Sequence, residues 1–254
     1  LAAMLPERRP EYRDRRLSPY AALDEVGQGE ADDPFHYAPS LVEQIVATPG
    51  QELGTHTFSH YYCLEPGQTE ADFAADLAAA RRIAAGYGVE PRSIVFPRNQ
   101  FNPAYLGVLR DAGLRAYRTN PPAWFYAPTA GDGATRGARV ARLADIYVPV
   151  VRAVVPRPTA GDGPVPVRAS TFLRPYSERL RALDRLRVAR IRGAMDAAAR
   201  EGRMFHLWWH PHNFGADLRE NVRILEAILD HRDVLAQRRG MESATMLEAV
   251  GTGR

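Results

Sequence analysis

Apolar positions recur at helical spacing in several stretches of the chain and gather into short runs between them. Phe73, Leu77, Ala80, Ile83 and Ala84 fall on one helical face, with Thr69 as cap, Glu70 and Asp72 in the first turn, and Gly86 and Gly88 as terminators. Asn102-Pro103 opens a second helix that carries Tyr105, Leu106 and Leu109 inward and stops at Gly113. A long helix is predicted over 177–200, ended by Gly202. Asp217 caps another, whose apolar side is Leu218, Val222, Leu225, Ile228 and Leu229. Shorter helical pieces are expected at 40–46, with Ser40 as N-cap, and at 243–250.

Between the helices lie runs short enough to be buried strands, at 51–55, 93–96, 115–118 and 204–209. Strand, polar loop and helix in repeated succession predict an α/β fold with a parallel sheet or (β/α) barrel, in which sites gather at the carboxyl ends of the strands. Three polar clusters occupy that position: His56 with His60, Arg98-Asn99-Gln100, and His210-Pro211-His212-Asn213. The tract 121–175 breaks the pattern. It is rich in Pro and Gly, apart from a helical piece at 138–147 and an apolar run at 148–155, and reads as a surface insertion or substrate-covering lid. With no linker in evidence, residues 1–254 read as one domain, of which 1–45 is an irregular lead-in.

Composition narrows the classes. The formal charge is +3, and all 33 basic side chains are arginine, scattered among 30 acidic ones, which argues against a nucleic-acid surface. A single cysteine, Cys63, excludes an internal disulfide and reads as a small buried thiol. No run approaches the ~20 apolar residues of a membrane span. No apolar leader opens the chain, so a cytoplasmic location is expected unless the true beginning is absent. Oligomeric state is left open.

Two histidines four residues apart, in Gly54-Thr55-His56-Thr57-Phe58-Ser59-His60, can share a divalent metal if a helical or tight turn brings both rings to one side. No Glu follows His56, so this is not the zincin pattern. Two unrelated surface or core histidines are the bland alternative for the spacing alone. Asp32-Asp33 precedes Pro34 and follows no strand, which makes it a solvated turn. In the Trp208-Trp209 pair, strand alternation sends one ring inward and leaves the other to stack on a ligand near His210. Tyr61 and Tyr62 divide in the same way, one for packing.

HTFSH, FPRNQ and HLWWHPHNFG, in this order and spacing, resemble the polysaccharide deacetylases of carbohydrate esterase family 4, over 50–215. The resemblance implies a distorted (β/α) barrel of the polysaccharide deacetylase type, acting as a hydrolase that removes N-acetyl groups from a sugar with a divalent metal, first of all zinc. It assigns His56 and His60 to the metal, Arg98 to orienting a base carboxylate, and His210 to general acid catalysis. Tyr61, Asn99, Trp208 and His212 are placed at the substrate or behind the ligands. Carbohydrate is the implied partner.

The family pattern begins with a strand ending in an aspartate pair, one carboxylate acting as base and the other as metal ligand, and no such motif precedes His56. The expectation is therefore a fragment, with a barrel incomplete at its N-terminus and doubtful activity on its own. Two other functions remain open: a metal-independent amidase or ring-opening hydrolase on the same barrel, and a non-catalytic carbohydrate-binding remnant.

Overall fold

The computed structural model describes residues 2–131, 135–159 and 161–251. Five short strands, β1 (Ser93–Ile94), β2 (Ala116–Thr119), β3 (Val165–Arg168), β4 (Thr171–Phe172) and β5 (Leu207–Trp208), all pair in parallel, as β1-β2-β3 and β4-β5. The two pieces run into one another at the β3–β4 junction. There the Ala169 N–H donates to Thr119 O at 2.8 Å, and the Ser170 N–H to His206 O at 2.9 Å. On the far side Thr55 joins Ile94 through one parallel bridge. Among the described residues the result is an open α/β sheet, not a closed barrel.

The expected run 51–55 thus supplies one bridged residue, and 204–209 supplies β5 plus an antiparallel bridge from Met204 to Val155. Strands β3 and β4 lie inside the tract 121–175, where no strand was anticipated. In β3 only Val165 and Val167 turn inward, an alternation too short for periodicity to register. Pro166 between them is tolerated because β3 is the edge of its sheet, where a missing N–H leaves no ladder bond unmade.

The helices are α1 (Pro39–Ala47), α2 (Glu70–Ala85), α3 (Leu106–Asp111), α4 (Arg136–Tyr147), α5 (Asp184–Glu201), α6 (Leu218–Arg239) and α7 (Met246–Ala249). In α2, Thr69 and Asp72 form a reciprocal capping box. Ser40 is not the cap of α1. Pro39 takes the first helical position, which moves the cap to Ala38, and the Ser40 N–H donates instead to Glu30 at 3.1 Å. The segment 178–183 winds as a 3-10 helix before α5 begins. The inward face of α6 is Asn221, Ile224, Ile228 and Leu235, while Leu218, Val222 and Leu229 are exposed. The apolar stripe was wide enough to fit two rotations, and contact with α5 selects the one that packs.

One core cluster packs Phe73 and Leu77 of α2 against Ile94, Phe96, Leu109 and Tyr117. Each such side chain contributes about 1.5–3 kcal/mol on burial. The lead-in closes over this core from behind. Tyr12 is buried beside Tyr61 and Tyr62, and its hydroxyl accepts the Tyr62 N–H at 2.8 Å. The close approach requires Gly67, whose φ is +93° and where a Cβ would fall 2.0 Å from the Glu11 carbonyl oxygen. Asp32 and Asp33 bind the backbone N–H groups of Gly27, Gln28, Gly29 and His36, a turn as expected. No helix among the described residues is long and apolar enough to cross a membrane.

Candidate functional site

The two histidines meet through a tight turn and not a helix. After Thr55 leaves the sheet, Thr57 and His60 adopt left-handed backbone with φ of 67° and 54°, a conformation that costs an L residue of order 1 kcal/mol and persists only where surroundings enforce it. The enforcing groups are local. Thr55 Oγ1 accepts the Thr57 N–H at 3.0 Å, and Thr57 Oγ1 accepts the Tyr61 N–H at 2.8 Å. From α2, the Asp76 carboxylate accepts the N–H groups of Phe58 at 2.7 Å and Ser59 at 3.1 Å, as well as the Ser59 hydroxyl. Asp76 is fully buried, which pushes its carboxyl up while these bonds pull it down. It was not singled out from the sequence, although an acidic residue three positions after Phe73 on the inward face of α2 was the available signal.

The rings of His56 and His60 stand 5.0 Å apart between centroids, inclined at 63°. Nδ1 of His56 is 2.6 Å from the Val95 carbonyl oxygen, which fixes the proton on Nδ1 and leaves Nε2 with its lone pair. Nδ1 of His60 is 3.0 Å from the Tyr62 hydroxyl. An outer partner on each ring, with Nε2 left free, is the usual preparation of a metal-binding imidazole. Desolvation lowers the pKa of both, aided for His56 by Arg118 and His210, and for His60, pushed down to about 4, by His56, Arg98 and His210. Each keeps an edge open to solvent. Both are neutral near pH 7, the state that ligates. Among the described residues no third His, Cys, Asp or Glu completes a ligand set with them.

The loop after β1 brings Arg98 to the same place. Arg98 and Asn99 are both left-handed, with φ of 51° and 53°. The Arg98 guanidinium lies 4.6 Å above the Tyr62 ring, and the exposed side chain lines the cleft. Asn99 Oδ1 accepts a 2.6 Å hydrogen bond from Nη2 of Arg118. Arg118, on β2, escaped the sequence reading. Its guanidinium stacks 4.1 Å over Trp208, its charge reaches His56, His206 and His210, and desolvation lowers its pKa to about 10. The signal was there: strand alternation puts Arg118 on the face of the fully buried Ala116.

His210 leaves β5 between Trp208, Phe172 and His212, at centroid distances of 5.4, 5.8 and 5.3 Å. Its pKa is lowered by desolvation, then by His212 and Arg118. His212 is exposed and stacks on it. Trp208 borders the cleft, whereas Trp209 packs away from it against Phe214. Of the two places expected for Tyr61 the structure leaves the one behind the turn: it is fully buried with its hydroxyl donated to Gln68 and the Thr69 carbonyl, while its neighbour Tyr62 contacts His60. Cys63 is buried, which raises its thiol pKa far from any ligand role. His206, also unforeseen, is pushed down to about 4 by burial and by Arg118.

Of these groups Arg98, Asn99, Phe172 and Trp208 border a cleft of about 480 Å³, which is also lined by Asn120, Tyr126, Arg139 and Arg142. This lining is held by a buried cluster in which Asp145 accepts from Tyr126 Oη at 2.9 Å, the Val151 N–H at 2.8 Å and Arg190 Nη2 at 2.9 Å.

Residues 23–117 match the family model described as polysaccharide deacetylase. That range contains the histidine turn, Arg98 and Asn99, and ends just before Arg118. No curated protein matches the chain. Among solved structures, a 4-alpha-glucanotransferase from Thermococcus litoralis aligns at 12% identity and a TM-score of 0.39, over 67% of this chain and 22% of that one. The chain therefore spans about a fifth of the length of that structure.

Proposed function

We propose that this chain carries the histidine half of a metal-dependent hydrolase that removes N-acetyl groups from a carbohydrate. The observation that carries the reading is the His56–His60 pair: two neutral imidazoles, each tied at Nδ1, with rings 5.0 Å apart at the carboxyl end of a parallel sheet. The match to the polysaccharide deacetylase model over 23–117 includes that pair.

The donor set fits a divalent ion in part, supplying two nitrogen ligands of the three the resemblance implies, with zinc the metal expected. Such an ion, when bound, supplies Lewis acidity toward an amide oxygen and lowers the pKa of water. The chain's own residues do the rest. His56 and His60, with rings 5.0 Å apart, would supply the two imidazole ligands. Arg98 orients the base carboxylate. His210 gives a proton to the departing sugar amine, which cannot leave as an anion near neutral pH. In the free chain desolvation, then His212 and Arg118, lower the His210 pKa, and negative charge entering the cluster would oppose that shift. Trp208 borders the sugar, and Tyr126, Arg139 and Arg142 line the cleft around it.

The base and third ligand are carboxylates, and no acidic residue near the pair provides them among the described residues. That absence favours a second reading, a non-catalytic carbohydrate-binding chain. Acetate release from N-acetylated oligosaccharides with added zinc, measured for the wild-type chain and for His56→Ala, separates them. Metal-dependent release that His56→Ala abolishes supports the hydrolase. Oligosaccharide binding with no release from either protein favours the second reading.

A further inference from the structure

We infer that the cleft selects a carbohydrate bearing an oxyanion, a carboxylate or a phosphate on one of its sugars, through Arg98, Arg118 and Arg142; this rests on reading the cleft as a carbohydrate site. Arg98 and Arg142 both line it, and no Asp or Glu is among its described lining residues. Arg118 lies beneath Trp208, desolvated, with Asn99 as its hydrogen-bond acceptor and no carboxylate at ion-pair distance among the described residues. The charged groups around it are His56, His206 and His210.

Elsewhere in the same chain a buried guanidinium is matched. Arg190 meets Asp145 at 2.9 Å and Arg187 meets Asp184 at 2.6 Å. Arg118 is only half-buried, but with no carboxylate at ion-pair distance among the described residues an anion placed beside it would be favoured. The metal chemistry does not supply one. A divalent ion with a base–ligand pair of carboxylates would be neutral in sum, and no described acidic residue lines the cleft beside Arg142. Planar guanidinium groups bind carboxylate and phosphate through paired N–H donors, a geometry that neutral hydroxyls do not match. A sugar anion in the cleft would take those donors, and would lie on the side of Asn99 and Trp208, which Arg118 contacts.

The test is calorimetric binding to the 254-residue chain with chelator present, so that no turnover occurs. Three N-acetylated disaccharides are compared: one neutral, one containing a uronic acid and one bearing a phosphate monoester. At least one anionic disaccharide is expected to bind about tenfold tighter than the neutral one, with the margin shrinking as salt screens the charges. Whichever of the two binds tighter identifies the source of the anion. Arg118→Gln and Arg142→Gln should each bring the affinity for the anion down to that for the neutral sugar. Arg142 sits on α4 near the surface, so its variant serves even if Arg118→Gln does not fold. Equal affinity for charged and neutral ligands, including no binding of either, overturns the inference, as does a preference that survives Arg142→Gln and Arg98→Gln together. Acetate release is read separately. A charge preference without release leaves this inference standing and removes the hydrolase reading, and release without a preference does the reverse.

Discussion

Asp76 and Ser59 meet beneath the turn that carries the two histidines, with Asp76 Oδ2 accepting both the backbone N–H of Ser59, at 3.1 Å, and its hydroxyl. The same carboxylate binds the Phe58 N–H through its other oxygen. Removing it in Asp76→Ala orphans two buried or half-buried N–H groups and frees a turn that holds two left-handed residues. A loss of about 2–3 kcal/mol is expected in urea denaturation, with weaker zinc binding because His56 and His60 no longer share a fixed geometry. Asp76→Asn keeps an acceptor and should retain part of both. Wild-type stability and zinc affinity in Asp76→Ala would remove the anchoring role.

Tyr62 reaches Nδ1 of His60 at 3.0 Å while supporting the Arg98 guanidinium on its ring face. Tyr62→Phe deletes the first contact and keeps the second. Outer partners of this kind are worth roughly 10–100-fold in metal affinity. Cobalt titration followed by absorbance should show such a weakening for Tyr62→Phe, and a greater one for His60→Ala. An unchanged affinity in both would exclude His60 as a ligand.

Acid stability should depend on His206. Burial and Arg118 push its folded pKa down to about 4, against 6.5 for the free side chain. Between those values the unfolded chain binds a proton that the folded chain does not, so stability falls as pH drops through that window and is unaffected above it. At about 1.4 kcal/mol per pH unit, the loss from this group approaches 2–3 kcal/mol near its folded pKa. Denaturant melts of wild type and His206→Asn between neutral pH and pH ~4.5 should diverge by about 2 kcal/mol, the variant being less acid-sensitive. Parallel curves would show that His206 is solvated or already charged in the fold.

The Asp145–Arg190 pair fastens the cleft wall, both side chains being almost wholly buried. Asp145→Ala strands Arg190 and removes the acceptor for Tyr126 and the Val151 N–H. Truncating one side of such a pair costs about 3–5 kcal/mol. Thermal and urea unfolding of Asp145→Ala should show a loss of this size, and replacing both partners by apolar residues should cost less. Equal losses in the single and double variants would mean that the pair itself, not the stranded charge, carries the stability.

Much of the site could be read along the chain. Arg98 and His210 each follow a short apolar run, and His56 follows an extended one, and a side chain just past a strand is delivered to the sheet's carboxyl edge whatever the details of pairing. The same logic found the division of Trp208 from Trp209. For Tyr61 and Tyr62 it predicts one packed ring without naming it, because alternation says that neighbours point apart without saying which way. Tyr61 went inward through contact with Phe73 and the closing of Tyr12 over both, a packing event between segments far apart in sequence.

What the sequence determined by itself is local. Thr69 with Asp72 starts α2, glycines end α5 and α6 in left-handed backbone, and runs of apolar residues set the strand–helix alternation. These depend on residues within a turn or two of one another, where propensity and capping decide. Only the tertiary structure decided which face of α6 is buried, that β3 and β4 arise from a Pro- and Gly-rich tract, and that Asp76, Arg118 and His206 belong to the histidine cluster. Each of those outcomes is fixed by burial and charge contacts between segments remote in sequence. The free energy of a polar group depends on what surrounds it once the sheet has assembled, and its sequence neighbours do not carry that information.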